Sequence, residues 1–221
     1  MARRAWAAAL AALALIGALP LRGLAAEERI GRFLDLNPHA WYASGVRYCV
    51  EKELMSGYGN VNLYFAPDAV MSRAELAVLL WRMNGSPVTG LTMLFTDVEE
   101  DSWYAGAVRW ASSTQLMPGE SPTVFAPASP VTREQLAVAL WRCAALQNGF
   151  VPHLDSPEFE TYRDYDTVSE EAEEAMRWAN ALGIITGTKD VDGSEVLTPW
   201  ASVSRAAAAT ILMRFSLDMA L

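Results

Sequence analysis

Three segments of the chain are near-copies of one another: Met71–Arg82 (MSRAELAVLLWR), Val131–Arg142 (VTREQLAVALWR) and Val203–Arg214 (VSRAAAATILMR). In each, a Ser or Thr stands directly before an Arg, and a second Arg follows nine positions later. A Pro precedes the first Arg by six positions in every copy: Pro67, Pro127 and Pro199. A chain built this way is a tandem array of supersecondary units. No single unit buries its own apolar face, so the copies must pack on one another.

The likeness extends upstream. Each unit opens on an aromatic residue with an Asp two positions later: Phe33/Asp35, Phe95/Asp97 and Tyr162/Asp164. A helical pattern follows: Trp41, Val46, Cys49, Val50 and Leu54 in the first unit, Trp103, Ala107, Trp110, Ala111 and Leu116 in the second, Ala172, Ala175, Trp178, Ala179 and Leu182 in the third. Ser102 is the expected N-cap of the second of these helices. Each helix is expected to close on the left-handed backbone of a nearby glycine: Gly57, Gly119 or Gly187.

A polar loop of variable length then leads to Phe65-Ala66-Pro67, Phe125-Ala126-Pro127 or Leu197-Thr198-Pro199. A second helix is predicted to start at Ser72, Thr132 or Ser204. Glu75 and Gln135 complete a capping box in the first two units, and Ala207 leaves the third without one. Leu76, Leu79, Leu80 and Met83 form an apolar stripe, matched by Leu136, Ala139, Leu140 and Cys143. The prediction is an all-α fold of three helix-loop-helix repeats packed as a pseudo-threefold bundle, with repeats at 27–86, 87–150 and 151–221.

Residues 1–26 carry Arg3-Arg4, an Ala/Leu-rich run and small residues ending at Ala26, the pattern of a secretory signal peptide cut after Ala25 or Ala26. The apolar run is short for a membrane anchor. The expectation is export and, once the signal is removed, no membrane association. The formal charge is −9, and taking away Arg3, Arg4 and Arg22 leaves 14 basic against 26 acidic residues, or −12. Such a balance disfavours nucleic acid as a partner. Cys49 and Cys143 are too few for a disulfide framework, and each falls within an apolar helical pattern, so two buried thiols are preferred to a bond. His39 and His153 have no repeated partners. No catalytic residues, metal site or cofactor are assigned, and a non-enzymatic role is expected.

The aromatic-x-Asp opening, the Phe-Ala-Pro, and above all Thr132–Gln135 (TREQ) and Ser72–Glu75 (SRAE) together resemble the S-layer homology module, repeated three times from about Phe33 to Phe215. The resemblance implies non-covalent anchoring to a bacterial cell wall, through an anionic and often pyruvylated secondary cell wall polysaccharide held in grooves between modules. It also implies a secreted protein of the cell wall or S-layer. The chemistry of the repeated residues is compatible. A guanidinium matches a carboxylate with two parallel donors. Arg73, Arg133 and Arg205 follow the caps Ser72, Thr132 and Ser204, where free backbone N–H groups and the helix end also favour an anion. Gly57 and Gly119 would let a sugar approach the backbone, and Trp41 and Trp103 would stack on it. The groove lined by Arg133 is the first candidate and that of Arg73 the second.

Other residues receive plainer readings. Arg82, Arg142 and Arg214 are expected to pair with acidic neighbours. Trp81, Trp110, Trp141 and Trp178 are assigned to the core, and Asp190-Val191-Asp192-Gly193 to a solvated turn. Asp35, Asp97 and Asp164 either brace a turn or serve the site. In repeat three Glu171 stands where Trp41 and Trp103 stand, within an acidic run, which is expected to weaken any groove relying on that repeat. The alternative function is self-association or partner docking in the cell envelope without polymer binding.

Overall fold

The computed structural model describes residue 31 and residues 33–59 and 63–219. The signal-peptide segment lies outside these described residues. Six α-helices fall within 33–219: α1 (Ala43–Glu51), α2 (Arg73–Met83), α3 (Ala105–Ser113), α4 (Arg133–Asn148), α5 (Glu173–Ala181) and α6 (Arg205–Asp218). The one regular sheet among the described residues is a two-stranded antiparallel ribbon, β1 (Thr188–Lys189) with β2 (Glu195–Val196), which closes the longer loop of repeat three. The described chain is mostly helical, and none of its helices is long and apolar enough to cross a membrane.

Each repeat supplies a helix pair, yet the helices meet partners from other repeats. α1 packs on α6, α3 on α2 and α5 on α4, so the first helix of every unit lies against the second helix of the unit before it in cyclic order. The α1–α6 approach is close enough to require glycine. A Cβ on Gly45 would meet the Thr210 Cα at 2.6 Å. Three backbone hydrogen bonds close a ring at the centre: Met71 N–H to Val203 O (2.8 Å), Val203 N–H to Val131 O (2.8 Å) and Val131 N–H to Met71 O (3.0 Å). Met71, Val131 and Val203 are all buried. These residues lead into α2, α4 and α6, which therefore start side by side. In α2 every residue from Arg73 to Leu80 except Glu75 is buried, so it lies deep within its neighbours rather than showing the single predicted stripe.

The caps of the second helices are as expected. Ser72 and Thr132 complete capping boxes with Glu75 and Gln135, while Ser204 accepts only from Ala207 N–H. Ser102 is not a cap: α3 begins after Tyr104, and the Ser102 hydroxyl donates to Glu99 O at 2.8 Å. The glycine expectation also needs correcting. The left-handed residues after α1, α3 and α5 are Glu53 (φ 57°), Gln115 (φ 59°) and Gly183 (φ 66°), four positions before Gly57, Gly119 and Gly187. There the next residue's N–H reaches back over the helix end, as Leu54 does to Cys49 O (2.8 Å) and Ile184 to Ala179 O (2.8 Å).

Gly119 and Gly187 are needed for close packing instead. A Cβ would meet the Phe95 ring at 2.4 Å in one and the Tyr162 ring at 2.1 Å in the other. The opening aromatic of units two and three thus lies directly on the loop that follows the first helix. The opening Asp resolves as a brace. Asp35 accepts from Phe65 and Ala66 N–H (2.8 and 2.6 Å), Asp97 from Phe125 and Ala126 (2.9 and 2.7 Å), and Asp164 from Leu197 and Thr198 (2.7 and 2.8 Å). Those bonds hold Ala66, Ala126 and Thr198 at positive φ, a conformation these residue types adopt only under restraint.

Trp110 and Trp178 are buried, whereas Trp81 and Trp141 sit half-buried at the core margin. Cys49 and Cys143 are free and buried. Burial pushes the Cys49 thiol up to about 12, against a smaller opposing pull from Arg205. The Asp190–Gly193 turn is held by Arg163, which pairs with Asp190 and, at 2.6 Å, with Asp192.

Candidate functional site: three grooves between the repeats

The first Arg of each second helix reaches into the next unit. Arg73 Nε donates to Phe125 O (2.9 Å) and Nη2 to Pro118 O (2.8 Å). Arg133 makes the same two bonds to Leu197 O (2.8 Å) and Thr186 O (2.9 Å). Arg205 makes them to Phe65 O (2.9 Å) and Ser56 O (2.7 Å). Arg73 and Arg205 also lie over the Phe125 and Phe65 rings, 4.8 Å from each centroid. Each guanidinium therefore stitches two repeats together before it can do anything else. Burial lowers the pKa of Arg73, partly offset by Glu120 and Asp97, but guanidinium remains charged.

The helix ends above these arginines are not open to an anion. The N–H groups of Arg73 and Ala74 donate to Ser129 and Pro127 of the next repeat, and Glu75 N–H goes to the Ser72 cap. Arg133 and Glu134 donate to Ala201 and Pro199, and Arg205 and Ala206 to Ala69 and Pro67. The first-turn donors expected to attract a ligand hold adjacent repeats together instead. Ser72, Thr132 and Ser204 are caps and do not line the grooves described next.

Three grooves share one plan. One is lined by Arg73 of repeat one, Gly119, Gln135 and Arg142 of repeat two, and Glu171 of repeat three. The second joins Arg133 of repeat two, Gly187, Ala207 and Arg214 of repeat three, and Trp41 of repeat one. The third joins Arg205 of repeat three, Gly57, Glu75 and Arg82 of repeat one, and Trp103 of repeat two. Arg73, Arg133, Arg205, Gly57, Gly119, Trp41 and Trp103 thus all line grooves, and each groove draws on all three repeats. Trp41 is 69% and Trp103 66% exposed, unlike the core tryptophans.

The second arginines belong to the same grooves, which sequence reasoning missed. Instead of ion pairs, Arg82 donates to Leu54 O (3.1 Å) and Arg214 to the Thr186 hydroxyl (3.3 Å). None of Arg82, Arg142 and Arg214 has a carboxylate within ion-pair distance among the described residues. The signal was present, since the nine-residue spacing to the first Arg is kept in all three copies.

The three grooves differ in charge. In the third, Arg205 is already paired: its Nη1 donates to Glu75 at 2.8 Å, and Tyr58 O–H donates to the same carboxylate. Burial would raise the Glu75 pKa, but the Ser72 N–H, Tyr58 and Arg205 bring it below its usual value. In the first, Glu134 and Glu171 line the groove together with Arg73 and Arg142, and Glu120 lies 4.0 Å from Arg73. In the second, no Asp or Glu lines the groove among the described residues, and Arg214 is close enough to act on the charge of Arg133. Burial lowers the Arg133 pKa first; Asp164 opposes it and Arg214 adds to it.

Comparison with known proteins agrees with this repeat organisation. The S-layer homology domain model matches residues 32–77, 94–137 and 161–209, and the chain belongs to that family. It is 28% identical over 181 residues to the surface-layer 125 kDa protein of Lysinibacillus sphaericus, covering 81% of this chain and 14% of that protein. It is 26% identical over 160 residues to an endoglucanase of Bacillus sp. (strain KSM-635), covering 72% and 16%. It is 31% identical over 93 residues to the surface layer protein of Brevibacillus choshinensis, covering 40% and 8%. The chain therefore spans only a small fraction of the length of these relatives. Family membership groups it with cell-wall- and S-layer-associated proteins.

Proposed function

We propose that this chain is a non-catalytic anchoring module that holds to the bacterial cell wall by binding an anionic, pyruvylated wall polysaccharide between its repeats. Acid groups bind chiefly in the Arg133–Arg214 groove. The single observation that carries this reading is the pair of guanidiniums there, bound to the carbonyl and hydroxyl of Thr186, with no carboxylate on the lining among the described residues and Trp41 exposed on the wall. Two like charges held together in a cleft lower their energy by taking up an anion, and a ketal-linked pyruvate presents one carboxylate on a sugar. The pseudo-threefold arrangement belongs to the same proposal, and the closed ring through Met71, Val131 and Val203 supports it.

On this reading repeat three favours binding in the Arg133–Arg214 groove, against the expectation that it would weaken any groove relying on it. Its Ala207 occupies the position where Glu75 neutralises Arg205, so loss of the capping acid leaves the groove positive. The test is a pull-down of the chain lacking residues 1–26 with purified sacculi of the source bacterium, before and after mild acid removal of pyruvate. Retention that falls sharply on treatment is expected. Equal retention, or none by either preparation, would overturn acid-group binding; concentration-dependent oligomers in its place would point to self-association.

A further inference from the structure

The groove around Arg73 lacks the tryptophan that walls the other two, because Glu171 occupies that place. It gains a different one. Trp200 lines it and is 61% exposed. The residues that follow the equivalent prolines, Pro67 and Pro127, are Asp68 and Ala128, so this aromatic belongs to repeat three alone. The Trp200 indole N–H donates to Thr167 O at 2.8 Å, which fixes the ring by its edge and leaves most of its surface to solvent.

An indole whose polar atom is already satisfied gains only from apolar contact with its face. The C–H face of a pyranose is a flat apolar surface ringed by hydroxyls. Beside Trp200 stand groups able to meet those hydroxyls: Gln135 and Glu171, both exposed, and Arg142, which makes no side-chain hydrogen bond or ion pair among the described residues. The charge balance also separates this groove from its neighbour. Glu134, held by the N–H and hydroxyl of Ser169, and Glu171 match Arg73 and Arg142 in number, so the lining has no net positive charge to favour an acid group.

We infer that the Arg73 groove is a second sugar subsite of different selectivity, taking an uncharged pyranose of the wall polymer on the face of Trp200 while the acid-bearing unit goes to Arg133 and Arg214. This rests on the polysaccharide-binding reading above. Two subsites on one polymer raise retention through effective concentration, without either being strong alone.

The test measures binding of the wild type, W200A, W200F and R214A to sacculi of the source bacterium, both native and pyruvate-depleted. W200A is expected to weaken binding to both preparations by a similar factor, about tenfold, and W200F to keep most of it. R214A is expected to weaken binding to native sacculi only. If W200A binds both preparations like the wild type while R214A still weakens native binding, the Trp200 subsite is wrong and acid-group anchoring stands. If R214A changes nothing while W200A weakens both, the acid-group reading fails and the Trp200 subsite survives.

Discussion

Arg133 and Arg214 meet at one residue: Arg133 donates to the carbonyl of Thr186 at 2.9 Å and Arg214 to its hydroxyl at 3.3 Å. The two arginines come from different repeats, and Thr186 sits just ahead of the glycine that lets the loop lie against Tyr162. The groove is thus assembled by the same contacts that hold the repeats together. On the proposed function, folding and binding would draw on the same guanidinium at Arg133, which makes Arg214, with its one long contact, the better probe of binding.

Glu75 should behave in the opposite way. It accepts from Arg205, Tyr58 and the Ser72 N–H, and its side chain is only 13% exposed. Removing it strands a buried guanidinium and opens the capping box. E75A is expected to lose about 3 kcal/mol, measured by urea denaturation. A loss below about 1 kcal/mol would show that Arg205 finds other partners and that the groove charge is not fixed by this pair.

The two close-packed glycines make a second stability prediction. G119A and G187A each drive a Cβ into an aromatic ring, at 2.4 and 2.1 Å, and are expected to cost about 2–3 kcal/mol as overpacking. G106A, within α3 and with no heavy atom in reach of its Cβ, is the control. It should be neutral or stabilise by about 0.5–1 kcal/mol. Thermal melts of the three variants decide it.

Asp97 predicts a pH dependence. Burial would raise its pKa, but the N–H groups of Phe125 and Ala126, helped by Arg73, hold it below the ordinary 3.8. A depressed carboxylate contributes stability that is present above its unfolded value and is lost as pH falls through the folded one. D97N should lower stability at neutral pH by about 1 kcal/mol. It should also flatten the decline below about pH 4, read as melting temperature against pH. An unchanged acid limb would remove Asp97 from the acid response.

Much of this was legible in the residues. The repeat, the second-helix caps and the capping boxes at Ser72 and Thr132 follow from spacing alone, because a cap is a local interaction between residues three apart. The role of Gly119 was not legible: local turn chemistry suggested a left-handed helix end, but the decisive contact is with Phe95, 24 positions upstream. Likewise Arg82, Arg142 and Arg214 repeat as regularly as the first arginines, yet their placement depends on which repeat faces which. That cyclic order, and with it the pairing of Trp41 with Arg133 in one groove, is a property of packing between units that spacing within a unit cannot express.

The most direct test of acid-group binding compares R214A with R82A for affinity to native sacculi of the source bacterium. Arg82 occupies the matching place in the groove where Glu75 already neutralises Arg205. R214A is predicted to weaken retention about tenfold or more while R82A stays within about twofold. Equal effects from the two changes, or full retention by R214A, would contradict it.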